Sequence, residues 1–104
     1  DRELLAADGV MLVIAHIDAK AKKILGEVEV VTKGFVYFDA SENSILEYCK
    51  QIFNKVADKH LGGKYINWNE FKLEVRDAVS KFVFDETKRR PIMIPVIIST
   101  EKQS

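Results

Sequence analysis

The sequence predicts an α+β domain of order ββααβ, a small three-stranded sheet with two helices packed on one face. Three observations predict it. Val10 to Asp18 and Ile92 to Ile98 are short Val/Ile-rich runs with apolar residues at both odd and even positions, the pattern of strands whose two faces are both covered. Between them, Ser41 to Leu61 and Asn67 to Thr87 repeat apolar residues at spacings of three and four, the period of amphipathic helices. The breakers Gly62-Gly63 and Pro91 fall at the ends of these segments and not inside them.

Each element follows from its residues. In the first strand Met11, Val13, Ala15 and Ile17 alternate with Val10, Leu12 and Ile14. The polar stretch Asp18-Ala19-Lys20-Ala21-Lys22-Lys23 has the length of a hairpin loop leading into a second strand, Ile24 to Phe38. There Val28 and Val30 face one way, Glu27 and Glu29 the other, and Gly34 is expected to mark a bulge before Phe35-Val36-Tyr37-Phe38. Ser41 is the expected N-cap of the first helix, with Glu42 in the first turn, where a carboxylate favours the helix dipole. Ile45, Cys49, Ile52, Phe53, Val56 and His60 form its apolar stripe, and Gly62-Gly63 stops it. Asn67-Trp68-Asn69-Glu70 has capping-box spacing and opens the second helix. Its stripe is Phe71, Val75, Ala78, Val79 and Phe82, and Asp77 with Lys81 is an expected i,i+4 pair. Pro91 pushes Arg90 out of the helical region, which ends the helix near Thr87. Pro95 cannot donate to a sheet ladder, which predicts an edge position for the last strand or a break within it.

Composition limits the function classes. A chain of 104 residues with 47% hydrophobic and 31% charged residues is one folded domain and not a disordered segment. Sixteen Lys plus Arg balance sixteen Asp plus Glu, so no domain-wide field draws in nucleic acid or anionic lipid, and any such contact is local. The single cysteine, Cys49, excludes an internal disulfide, fits a reducing compartment, and falls in helical register with the core. No apolar run reaches the length of a membrane span and no signal peptide is visible, so no membrane partner is expected. The expected organisation is a linker end over 1–8, leading from a missing upstream region, a domain over 9–100, and a polar tail over 101–104.

Chemistry-bearing residues do not assemble into a catalytic pattern. His16 and Asp18 share a strand face, but a zinc site needs three or four ligands. His60 falls at a helix end, where a cation suits the dipole, and Glu27 with Glu29 reads as a solvated strand face. Cys49 lacks a histidine nearby in sequence, and Gly62-Gly63-Lys64 lacks phosphate-loop spacing. No catalytic residue, metal ligand or cofactor site is assigned. Lys88, Arg89 and Arg90, with Arg76 and Lys81 earlier on the second helix, form the one basic cluster, read either as a solvated helix end or as a phosphate contact with RNA. Phe35, Tyr37, Tyr65 and Trp68 are scattered along the chain and read as packing residues, since no nucleotide-binding aromatic motif joins them.

Two helices cover one face of a three-stranded sheet, yet the outer strands of the pattern are apolar on both. The uncovered face is the candidate interface for assembly: Met11, Val13, Ala15, Ile17, Met93 and Ile97, with Leu12, Ile14, Ile94 and Val96 as the mirror alternative; the competing reading is a face shielded by loops and the amino-terminal segment.

Three segments in fixed order carry a family resemblance. Leu5-Ala6-Ala7-Asp8-Gly9 precedes the first strand, Val31-Thr32-Lys33-Gly34-Phe35-Val36-Tyr37 follows, and Ser80-Lys81-Phe82 runs on through Thr87-Lys88-Arg89-Arg90-Pro91-Ile92-Met93-Ile94-Pro95-Val96-Ile97. Together they resemble the carboxy-terminal domain of ribonuclease J, over almost the whole chain. The resemblance implies a cytoplasmic, zinc-dependent parent ribonuclease with a metallo-β-lactamase core and a β-CASP insertion, cutting RNA as a 5′-to-3′ exonuclease and as an endonuclease. The family's His-x-His-x-Asp-His zinc motif occurs nowhere in this chain, so zinc belongs to the parent, and the fragment alone is expected to be noncatalytic. The implied role is an assembly domain whose partners are the parent's catalytic domains, further copies of itself and, as an accessory contact, RNA. A free-standing RNA-binding module using Lys88 to Arg90 is the alternative, and net neutrality counts against it. A small independent enzyme comes third, because nucleophile, base and metal ligands are all missing.

Overall fold

The computed structural model describes residues 8–34 and 42–99. Its elements run β1 (Val10–Asp18), β2 (Lys23–Lys33), α1 (Glu42–Leu61), α2 (Trp68–Thr87) and β3 (Ile92–Ser99). The sheet order is β2-β1-β3, with β1 antiparallel to β2 and parallel to β3. A tight loop suffices for the antiparallel pair, whereas the parallel return needs a long crossover, which the two helices provide. This is the predicted α+β arrangement.

Both helices pack on one face of the sheet. Met11, Val13, Ala15 and Ile17 of β1 lose all contact with solvent there, and Cys49, Phe53, Phe71, Val75, Val79 and Val83 of the helices close over them. Burying a Val, Ile or Met side chain contributes roughly 1.5–3 kcal/mol, so this single layer holds the domain together. Phe53 and Phe71 meet across the helix pair at 5.6 Å between ring centroids.

The buried layer corrects the face assignment for assembly. Met11, Val13, Ala15, Ile17 and Met93 are under 7% exposed and Ile97 is partly buried against the same core, so none of the six is available to a partner. The reason lies in β2. Register pairs Val13 with Val30 and Ile17 with Ile24, but Val10 with Lys33, Ile14 with Glu29 and Asp18 with Lys23. Helices over the second set would bury four charged groups, Lys33, Glu29, Asp18 and Lys23, which costs far more than the apolar alternative. The mirror set, Leu12, Ile14, Ile94 and Val96, is left on the outer face.

A second correction concerns the bulge. Ile14 pairs with Glu29 and His16 with Leu25, so two steps along β1 span four along β2, and the excess sits at Gly26 to Val28. Gly26 has φ +70 and supplies the backbone conformation such a bulge uses. Gly34, where the bulge was expected, is a bend directly after β2 with φ +72. Phe35 to Phe38 and the expected N-cap Ser41 lie outside the described residues.

The corner where β1 begins is tightly specified. Gly9 has φ +83, and a Cβ there would stand 2.4 Å from the carbonyl carbon of Gly34. Its own carbonyl accepts from Ile92 N–H at 2.9 Å, starting the parallel ladder. Asp8, expected in the linker, belongs to the fold: its Oδ2 accepts from Arg90 N–H at 2.8 Å.

Helix ends follow local chemistry. Asn67 caps α2, its Oδ1 accepting from Glu70 N–H at 3.1 Å, as the spacing predicts. At the other end Lys88 turns into the left-handed region, φ 60, and its N–H returns to the Phe84 carbonyl at 2.7 Å. Thr87 Oγ1 donates to the Val83 carbonyl and accepts from Arg89 N–H, which seals the turn. The expected Asp77–Lys81 pair does not form. Lys81 instead reaches Asp85 at 3.0 Å, and Asp77 takes Arg76.

Candidate interaction surfaces

The outer sheet face is apolar across its middle. Register sets Leu12 between Val31 and Ile94, Ile14 between Glu29 and Val96, and His16 between Leu25 and Ile98. Val31, Ile94 and Ile98 are 41–44% exposed. Leu12, Ile14, Leu25 and Val96 are half-buried among them, while Lys23, Glu29 and Lys33 border the stripe along β2. A contiguous apolar surface rimmed by charge is the usual composition of a protein contact.

Lys88, Arg89 and Arg90 are largely engaged within the domain. The Arg90 guanidinium lies 4.3 Å from the centroid of the Phe84 ring and the Lys88 ammonium 5.3 Å from it, distances at which cations gain from the ring's negative face. Arg89 Nη1 approaches Asp8 Oδ1 at 3.7 Å. Their companions Arg76 and Lys81 are paired with Asp77 and Asp85. The turn therefore ties the end of α2 to the start of β1, and only part of its charge is offered outward.

On the opposite side, a charged clamp joins the helices. Glu74 of α2 accepts from Lys59 Nζ through both oxygens, at 3.2 and 3.0 Å, and its Oε1 lies 2.8 Å from His60 Nε2. The His60 ring stacks on Phe71 at 5.3 Å with planes 6° apart. Hydrogen bonds from His60 and then Lys59 hold the Glu74 carboxyl below its ordinary value. Sequence reading placed His60 at a helix end but missed Glu74, whose partners lie 14 and 15 positions away and beyond any helical spacing rule.

The zinc implied by the family resemblance finds no ligand set among the described residues. Among the described residues no three His, Cys, Asp or Glu side chains converge on a point. His16 is exposed on the sheet, while Asp18 Oδ1 is occupied by the amides of Lys20 and Ala21. Burial pushes the Cys49 thiol up to about 12, so it remains a protonated packing group. Among the same residues, no helix is long and apolar enough to cross a membrane.

Tyr65 and Trp68, read from sequence as packing residues, fare differently. Trp68 is half-buried and stacks on Phe71 at 6.1 Å, whereas Tyr65 is 86% exposed.

The family model described as the ribonuclease J C-terminal domain matches residues 1–100. The chain is 40% identical to Ribonuclease J 2 of Staphylococcus epidermidis over 97 residues, 93% of this chain, and 39% identical over the same span to Ribonuclease J 2 of Staphylococcus aureus. The chain spans about 17% of the length of these relatives.

Proposed function

Because the chain belongs to the ribonuclease J C-terminal domain family, we propose that it is the noncatalytic assembly domain of a zinc-dependent ribonuclease working in the cytoplasm. The parent would degrade and mature RNA as a 5′-to-3′ exonuclease and an endonuclease, with zinc and all catalytic groups supplied by its other domains. The outer face of β1 and β3 would join copies of the chain and so hold the active form together. Accessory RNA contact is the secondary part of the role.

One observation carries the assembly reading: Leu12, Ile14, Ile94 and Val96 sit on a sheet face that neither helix covers. Leaving β-branched and leucine side chains in water forgoes about 25 cal/mol per Å² of apolar area, which a second apolar surface would recover. The experiment is light scattering of the 104-residue chain across a concentration series, beside Ile94→Lys. A dimer that becomes a folded monomer on substitution is expected. A wild-type chain that stays monomeric at every concentration would refute self-association through this face.

A further inference from the structure

The β1–β2 hairpin tip and the α1–α2 loop, far apart in sequence, meet around an open recess of about 400 Å³ whose lining includes Lys20, Lys22, Lys64, Tyr65, Ile66 and Trp68. We propose that this recess is a binding site for single-stranded RNA, taking a base against Tyr65 and Trp68 and the flanking phosphates on Lys20 and Lys64. The choice of RNA as the strand rests on the function proposed above. The recess itself is independent of that reading and of the Lys88 to Arg90 turn.

The lining has the two components that single-strand recognition uses, a positively charged rim and aromatic surfaces on which a base can stack. Three lysines contribute to it and no carboxylate does. That contrasts with the basic turn after α2, where Asp8, Asp77 and Asp85 take up the neighbouring cations. Tyr65 is 86% exposed and adds little to the core, while Trp68 is anchored from behind by its stack on Phe71. A volume of this size falls in the range of small-ligand sites and holds a base with its phosphate.

The recess is also held in shape before any ligand arrives. Lys22, at φ 58, directs Nζ onto the carbonyls of Gly63 and Lys64 at 2.6 and 3.3 Å, so the hairpin tip is fastened to the interhelix loop. Asp18 Oδ1 accepts from Lys20 and Ala21 N–H at 3.0 and 3.1 Å, and Lys22 N–H closes on the Asp18 carbonyl at 2.7 Å. Lys22 is thus a positioning residue, and Lys20 and Lys64 are the phosphate contacts. A preorganised site of this kind avoids the ordering cost that weakens binding by loose loops.

Trp68 is the chain's one tryptophan, so its fluorescence reports the recess directly. The test titrates a fluorescein-labelled ten-nucleotide oligouridylate RNA into the 104-residue chain and follows anisotropy together with Trp68 emission. Expected are parallel binding curves, a quenched Trp68, and an affinity about tenfold weaker in Tyr65→Ala. Replacing both phosphate contacts, Lys20→Ala with Lys64→Ala, should flatten the slope of log affinity against log salt by about 1.4. Far-UV circular dichroism confirms that each variant is folded. An anisotropy rise with no Trp68 quenching, abolished instead by Lys88→Ala, Arg89→Ala and Arg90→Ala together, would overturn the recess and keep RNA contact at the basic turn. A ten-residue polyglutamate that displaces the RNA from wild type and Tyr65→Ala alike would overturn it in favour of an acidic protein segment. No RNA binding at low salt would overturn it while leaving the assembly reading to light scattering.

Discussion

The two faces of the same sheet share a composition and differ in fate. On the inner face Met11, Val13, Ala15 and Ile17 have no solvent contact, whereas on the outer face Leu12 and Ile14 are half-buried and Ile94 is 41% exposed. Hydrophobicity along β1 does not distinguish them. What distinguishes them is the neighbouring strand: β2 continues the inner face with Ile24, Val28 and Val30 and interrupts the outer one with Lys23, Glu29 and Lys33. A strand apolar on both sides is thus assigned its core face by a partner, and the remaining face is left uncovered by either helix.

The strongest way to break that distinction is to place the same charge on either face. Val13→Lys buries an ammonium in a layer with no buried polar or charged residue among those described. It is expected to leave the chain unfolded at 25 °C by circular dichroism, a loss of about 5 kcal/mol or more. A folded Val13→Lys variant would mean that the helices do not cover this side.

Next comes the corner where the two faces begin. Gly9→Ala combines a positive φ with a clash against Gly34 backbone and should lower stability by roughly 3 kcal/mol in urea unfolding. Gly26→Ala meets open space, so only the conformational cost of about 1 kcal/mol remains. Equal losses at the two sites would show that the close approach of Gly9 to Gly34 contributes nothing.

A smaller effect tests whether the helix layer is clamped from its far side. Glu74 has a folded-state pKa below its unfolded value. The stabilisation from that shift is therefore full above the ordinary glutamate range near pH 4.3 and is lost as pH falls through the lowered value. Urea midpoints measured from pH 6 to pH 3 should fall less steeply in Glu74→Gln than in the wild type. Parallel decline of the two would remove the His60–Glu74–Lys59 cluster from the acid response.

The smallest expected change in stability is on the outer face. Ile94→Lys should shift the unfolding free energy by no more than about 0.5 kcal/mol while abolishing self-association in light scattering. A loss comparable to that of Val13→Lys would mean that both faces are core.

Much of this architecture was legible along the chain. The order of elements, the Asn67 cap, the end of α2 at Thr87 and the edge position favoured by Pro95 each rest on local chemistry, and each stands in the fold. Long-range placement was not legible. Period-two alternation in β1 is symmetric between its faces, and only the register against β2 breaks the symmetry. The bulge followed the same logic, since a glycine at either 26 or 34 satisfies the local signal and the pairing of Ile14 with Glu29 selects the first. Among candidate sites, Lys88 to Arg90 was visible as a charge run, but its attachment to Phe84 and Asp8 required the folded chain. The recess at the hairpin tip was invisible because Lys20 and Tyr65 lie 45 positions apart.

Pro95 has a consequence for growth as well as for topology. Ile92 N–H points to β1, so by the alternation of a strand the amide position of Pro95 points outward along the free edge, where a donor is missing. The opposite edge, β2, is kinked at Gly26 and studded with Lys23, Glu27, Glu29 and Lys33. Among the described residues neither rim is a good template for a fourth strand from another molecule. Copies joined as proposed would therefore stack their sheets and not lengthen them, which would favour small closed complexes over open-ended fibres even when many copies of the chain are crowded together.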